Sequence, residues 1–466
     1  MASETVLIVG GGISGLAAAY YLGKAGVRST IIEKANRLGG LIKTDRVQGC
    51  ELEAGPDSYL STKTAVAELA QELDSDLGGG LSQKIIGSND EARRIFVVRN
   101  GKLTPMPKAM SMMVPGEWGP VLRSPLLGVR TKLQLLLETR KKPRKRDGDF
   151  SVGELVSAHF GPEMLEYVTE PLLCGVYGGD SASLSARSVL PRFVGYEEQY
   201  GSLIQGVRKS AKQAPQQGSL FKSFQGGMQT LIDALSKAVQ EHTAVIYGEA
   251  NKVEKTDGGW RVRFGSESIS SRQVVLACPA WAAAKLLEQS APAPAAELAG
   301  IPYSSAFVAM LVFQRDQLKH PLNGFGFLVP RQEQQTMAAA TWVNTKFPSR
   351  VAPGLAALRA FMVGEKAEAM AQMEREHIVQ AVRQDFERLM GIQQAPVFET
   401  VYSWPKSMPQ YVVGHEARVQ RLLAALEPYG GLFLIGNYFD GVGIPDSIRL
   451  AKDTAKLIQR NGIYRL

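Results

Sequence analysis

The stretch Thr5–Glu33, TVLIVGGGISGLAAAYYLGKAGVRSTIIE, decides the fold. Thr5 to Val9 is a run of β-branched and aliphatic residues, the pattern of a parallel strand buried on both faces. It runs straight into Gly10-Gly11-Gly12-Ile13-Ser14-Gly15, a G-x-G-x-x-G turn, and a helix is expected over Leu16 to Lys24 with Gly26 as its stop. Ser29 to Ile32 reads as a second strand that closes on Glu33. Each part has a physical task. Gly10 permits the tight turn, Gly12 lets the backbone approach a pyrophosphate, and Gly15 lets helix and strand pack closely. The helix N-terminus offers unpaired N–H groups and a positive dipole end to phosphates. A carboxylate at Glu33 can accept hydrogen bonds from ribose hydroxyls and disfavours a 2′-phosphate. Strand, turn, helix and acid in register predict a dinucleotide-binding unit.

The rest of the chain supplies its partners. Leu432 to Ile435 is another buried-strand run, opening on Gly436-Asn437 into GNYFDGVGIPDSIRLAKDTA, with a helix expected from Pro445 or Asp446. Val274 to Leu276 is a third such strand. Ala250 to Lys255 and Trp260 to Phe264 alternate around Asp257-Gly258-Gly259, a hairpin signal. The binding domain is therefore expected to be discontinuous, built from 1–88, 219–298 and 425–466. A helical domain is expected over 104–195, where Leu- and Met-rich stretches alternate with prolines, and a mixed-sheet domain over 89–103, 196–218 and 299–424. The fold class is α/β with α+β insertions, around a Rossmann-like domain.

Composition narrows the function classes. Of the 466 residues 45% are apolar and 21% charged, an ordinary balance for a well-cored protein. Three separated cysteines, Cys50, Cys174 and Cys278, give neither a disulfide framework nor a zinc spacing, and they fit a reducing compartment. The five histidines form no ligand pattern, so no metal is expected. Val6 to Leu22 is apolar, but its glycines break it and no basic leader precedes it, so neither a span nor a signal peptide is expected. The net charge is +8, with a dense run at Arg140–Arg146, RKKPRKR. That run is a solvated loop, or an attractor of anionic lipid or of an anionic substrate; without a recognition module, nucleic acid is not expected.

Glu33, Arg37, Gly39-Gly40 and the following Gly55-Pro56-Asp57 resemble the amine-oxidase-like flavoproteins. The resemblance implies FAD, with Gly10, Gly12, Ser14, Gly15, Glu33, Arg37, Gly39, Gly40, Gly55, Pro56 and Asp57 on its nucleotide side. It places Gly436, Gly441, Val442, Gly443 and Ile444 along the ring and the backbone of Val253 at the adenine. Further motifs are similar to the porphyrinogen oxidases of haem biosynthesis: Arg93-Arg94-Ile95-Phe96-Val97, GVYGGD at 175–180, FQGGMQTL at 224–231, GFGFLVP at 324–330 and MPQYVVGH at 408–415.

That resemblance implies oxidation of coproporphyrinogen III or protoporphyrinogen IX, with the former slightly favoured. A hydride would pass from a meso carbon to flavin N5, O2 would be the acceptor, and no side chain would serve as base. Arg94 would face a propionate, Leu328, Phe347 and Met362 would line the pyrrole rings, and Gly175 would leave room beside them. Lys346, Arg350 and Lys406 are candidates for additional carboxylates. A cytoplasmic protein is expected; whether it is soluble or in peripheral contact with the inner face of the cell membrane through 104–195 stays open. Hand-over to a ferrochelatase and a homodimer stay open, neither being readable from the sequence. An amine oxidase or a carotenoid desaturase on the same scaffold stays open as an alternative, as does a flavin-free prenyl-protein escort factor.

Overall fold

The computed structural model describes residues 5–213 and 218–460; the expected domain ends at 1–4, 214–217 and 461–466 lie outside the described residues. Strand Thr5–Val9 pairs in parallel with Arg28–Glu33 on one side and Val274–Leu276 on the other. Thr243–Tyr247 and Leu432–Leu434 complete a five-stranded parallel sheet at its two edges. Adjacent strands thus come from the start, middle and end of the chain, which is the discontinuity expected from the sequence. Helix Ile13–Lys24 begins three residues earlier than the apolar pattern suggests, and packs against the closing helix Ile444–Gln459. Both helices cover strands that are apolar on both faces, as a parallel sheet requires. The hairpin Ala250–Thr256/Gly259–Phe264 forms, extended by Glu267–Ser271.

A second sheet has seven strands, in the order Phe398–Pro409, Tyr303–Gln314, Leu355–Val363, Ala339–Trp342, Gly326–Leu328, Ile95–Arg99 and Lys102–Pro105. One face is closed by helix Arg375–Met390, whose Ile378, Val382 and Phe386 pack with Phe307, Phe327 and Met362. The other face carries Val308 and Met310 against Cys50 and Leu52 of the hairpin Thr44–Val47/Cys50–Glu53, which belongs in sequence to the first domain.

The third core is helical and centres on Val152–Phe160, whose Ser151 side chain and Glu154 close a capping box. The sequence assigns 196–218 to the sheet domain, yet Tyr196, Leu203, Ile204 and Val207 are buried in this helical core. Among the described residues no helix is long and apolar enough to cross a membrane.

Candidate functional site

At the carboxyl ends of the parallel strands lies a cleft of about 1700 Å3. Its wall includes Gly10, Gly12, Ser14, Glu33, Arg37, Gly39, Gly40, Pro56, Gly436, Val442 and Ile444, so pieces far apart in sequence meet in one place. Open α/β sheets bind ligands at such a crevice.

The cradle is built for close approach. Gly10 holds φ +107°, and a Cβ there would lie 2.8 Å from the Ala277 carbonyl oxygen. A Cβ on Gly15 would collide with the Gly10 carbonyl oxygen, so this glycine serves packing behind the wall. Gly12 is different: nothing but Gly40 Cα, at 3.9 Å, comes near its added Cβ, which leaves the backbone open to a ligand. Gly39 N–H donates to the Gly11 carbonyl at 2.8 Å, with Gly39 and Gly40 at φ +106° and +58°. The two glycine turns therefore form a single floor.

Glu33 does more than the sequence suggests. Its carboxylate accepts Gly11 N–H at 2.6 Å and Ala35 N–H at 2.7 Å, which fixes the turn before any ligand arrives. Arg37 bonds the carbonyls of Leu38 (3.1 Å), Ile42 (3.0 Å) and Gly40, and burial lowers its pKa. At the other end of the cleft Lys63 Nζ meets Asp446 Oδ2 at 2.6 Å. Gly443 N–H reaches the same oxygen at 3.2 Å, capping the last helix. Gly441 turns at φ +94° against Asp446, and with Gly443 it shapes the loop behind Val442 and Ile444. These features fit a dinucleotide with an attached ring: open backbone at one end, a helix N-terminus at the other.

Three expected contacts, Val253, Gly55 and Asp57, fall elsewhere. Val253 is fully buried and its carbonyl accepts the Ser290 hydroxyl, so it is not on the wall. The pairing shifts register between Ala250 and Lys252, leaving Asn251 out of the ladder, and it is Ala250 and Asn251 that line the cleft. Gly55 is pressed against the Leu41 carbonyl, while Asp57 turns away from the cleft into an ion network. Asp57 Oδ2 lies 2.8 Å from Lys346 Nζ and 3.5 Å from Arg359 Nη1, and Arg350 Nη2 lies 3.0 Å from Glu53 Oε1. Burial resists the Asp57 charge, but Lys346, Arg359 and Arg350 outweigh it and hold the carboxyl far below the usual range. Lys346 and Arg350, expected as free cations, are thus committed to protein carboxylates. Lys406 alone of the three lies on the cleft.

The expected substrate wall divides by strand register. Val97, Leu328, Ala339, Phe361 and Val308 are successive cross-strand partners, and direct partners share a face. Met362 pairs with Phe307 on the opposite face and is fully buried in the core under helix Arg375–Met390. Its neighbour Phe361, stacked on the Arg359 guanidinium at 4.3 Å, shares the face of Leu328. Phe347 is 1% exposed beneath Arg350 at 4.6 Å, closing the ion network and not the open wall. Gly175 is exposed with no protein atom within 4 Å of an added Cβ. Arg94 is exposed, held by its backbone to Ala92 and Phe325, and its guanidinium has no partner among the described residues.

A parallel sheet with a two-ended nucleotide cleft, joined to an apolar mixed sheet, defines a dinucleotide-dependent oxidoreductase scaffold. The model of the flavin containing amine oxidoreductases matches residues 13–459, and the chain belongs to that family. It is 31% identical to a coproporphyrinogen III oxidase of Bacillus subtilis (strain 168), over 96% of each chain. It is 31% identical to one of Staphylococcus aureus (strain NCTC 8325 / PS 47), over 97% of this chain and 98% of that one. A crystal structure from Exiguobacterium sp. 255-15, provisionally named a protoporphyrinogen oxidase, superposes with a TM-score of 0.88 at 29% identity, covering 99% of both chains. FAD is accordingly the cofactor, and Gly12, Arg37, Gly39-Gly40 and Val442–Ile444 are the residues that would hold it.

Proposed function

We propose that this protein oxidises a porphyrinogen to its porphyrin by six electrons, with coproporphyrinogen III preferred over protoporphyrinogen IX. The observation that carries the reading is the full-length likeness to two coproporphyrinogen III oxidases on a chain whose cofactor cradle is intact. FAD, when bound, would supply the hydride acceptor and the route for electrons to O2, with peroxide as product. The chain's own residues bind and orient. Leu328 and Phe361 offer an apolar face to the macrocycle, and the open space at Gly175 admits its edge. Arg94 and Lys406, both free of ion-pair partners among the described residues, meet the propionates. With no base assigned, positioning and water exclusion are what the protein contributes.

The reading extends to location. On helix Val129–Glu138, Val129, Leu133, Leu136 and Leu137 form one stripe at helical spacing, 74%, 57%, 40% and 60% exposed, while Leu135 faces inward. Arg130 and Lys132 flank the stripe and Arg140 follows it. An apolar stripe between cations suits an anionic bilayer surface, on which the protein would lie peripherally.

The decisive assay supplies purified protein with each porphyrinogen aerobically, following porphyrin fluorescence and peroxide. Faster turnover of coproporphyrinogen III is expected. Faster protoporphyrinogen IX turnover would reverse the preference, and no turnover of either by flavin-loaded protein would overturn the reading.

A further inference from the structure

The segment Met408–His415 lies where the three cores meet, and the reaction as described leaves it without a task. Its bonds are numerous and directional. Gln410, 7% exposed, donates through Nε2 to Ser304 Oγ at 3.1 Å and to the Tyr177 carbonyl. A Cβ on Gly179 would collide with Gln410 Oε1, so the GVYGGD turn is moulded onto this side chain. Ser185 N–H donates to the Tyr411 carbonyl at 2.7 Å, and Val413 N–H to the Ser183 carbonyl at 2.8 Å. Gly414 N–H donates to Asp149 Oδ2 at 2.7 Å. One side of the segment is therefore pinned to the helical core.

The other side reaches the cofactor cleft. Tyr411 is 1% exposed, and its hydroxyl donates to the Asn437 carbonyl at 2.7 Å. Asn437 lines the cleft between Gly436 and Val442. His415 is 3% exposed and its Nε2–H donates to the Phe439 carbonyl at 3.3 Å. The two rings stack at 4.1 Å with 10° between their planes, so neither turns independently. Tyr177, at the end of the GVYGGD helix, packs on Tyr411 at 5.9 Å.

We propose that Tyr411 and His415 are positioning residues that set the loop Gly436–Gly443 against the flavin and hold it in register with the turn at 175–180. Two side-chain bonds to successive odd-numbered carbonyls, made by a stacked and buried pair, fix both the height and the tilt of that loop. A conformational constraint of this kind acts on the ring environment and not on substrate affinity. The proposal rests on FAD occupying the cleft.

The test uses the flavin-loaded full chain. Tyr411→Phe keeps the ring, its stacking on His415 and its contact with Tyr177, and deletes only the hydroxyl. Expected are an altered visible circular dichroism of the bound flavin and an FAD affinity weakened about two- to tenfold, the range for one buried hydrogen bond. kcat falls while KM for the porphyrinogen stays near wild type. His415→Gln retains a donor and is expected to keep most of the wild-type spectrum, whereas His415→Leu loses it; this pair decides the matter if Tyr411→Phe folds poorly. Wild-type flavin dichroism and FAD affinity in both Tyr411→Phe and His415→Leu, with only the melting temperature lowered, would overturn the proposal. Wild-type protein that retains no flavin would overturn it too, by removing the cofactor reading itself before any variant is compared.

Discussion

Phe361 and Met362 are adjacent in one strand on opposite faces of the sheet, and the proposed substrate wall gives them opposite tasks that two alanine substitutions can separate. Met362 is fully buried among Phe307, Phe327 and Phe386. Truncating a buried methionine costs about 2–5 kcal/mol through lost transfer energy and the cavity left behind. Phe361 is only partly buried, on the face that carries Leu328. A phenylalanine buries about 150–250 Å2 when fully covered. If a third of that is contributed by the substrate, about 50–80 Å2 is at stake, or about 1–2 kcal/mol at 25 cal/mol per Å2. That corresponds to a five- to thirtyfold rise in KM. Met362→Ala should therefore melt several degrees lower with KM little changed, and Phe361→Ala should raise KM with a small loss of stability. The measurements are thermal unfolding of flavin-loaded protein and aerobic turnover across a range of porphyrinogen concentrations. A raised KM in Met362→Ala together with an unchanged KM in Phe361→Ala would refute the assignment of faces by register.

Three further outcomes follow. Gly15→Ala places a methyl group against the Gly10 carbonyl, and overpacking of about 1–3 kcal/mol should weaken FAD affinity about five- to hundredfold; equal retention on gel filtration would contradict it. His159 is buried between Glu138 (2.7 Å) and Glu197 (3.1 Å); burial opposes its charge, yet the two carboxylates raise its pKa. Its stabilising contribution is complete below about pH 6.5 and is lost as pH rises through the raised folded value, so melting temperature should fall as pH rises above about 6.5, a slope that His159→Gln should flatten. On vesicles containing phosphatidylserine at low salt the protein should co-float, and Leu133→Glu/Leu137→Glu should abolish this; flotation unchanged by the double substitution would show that the stripe is not the contact.

The parallel sheet was legible because its signal is local. Glycine spacing, a buried-strand run and a helix stop all fall within Thr5–Glu33, and each has one geometric meaning. The ends of the cleft were legible for the same reason: Gly441 and Gly443 mark a turn whatever lies across from it. Charge pairing is not local. Lys346 and Arg350 looked available for substrate because their partners, Asp57 and Glu53, lie almost three hundred residues upstream, at the end of a hairpin that packs beneath the second sheet and just beyond it. Likewise Asn251 replaced Val253 on the wall because a one-residue slip in pairing leaves no trace in an alternating pattern.

Side-chain parity in Leu355–Val363 was illegible for a more instructive reason. The strand reads LAALRAFMV and is covered on both faces, so apolar and polar residues do not alternate and the pattern does not reveal which side a residue takes. One residue in it does carry that information. Arg359 is a charge in an otherwise apolar strand, and a buried guanidinium needs carboxylate or carbonyl partners, which it finds in Asp57 and the Gly55 carbonyl. Those partners belong to the segment that reaches the cofactor cleft at Pro56. Strand period then assigns Phe361, two residues on, to the same face, and Met362 to the other. The ion network and the apolar face are thus coupled: the charges that lock the hairpin under the sheet also fix which ring of the strand shares the face of Leu328.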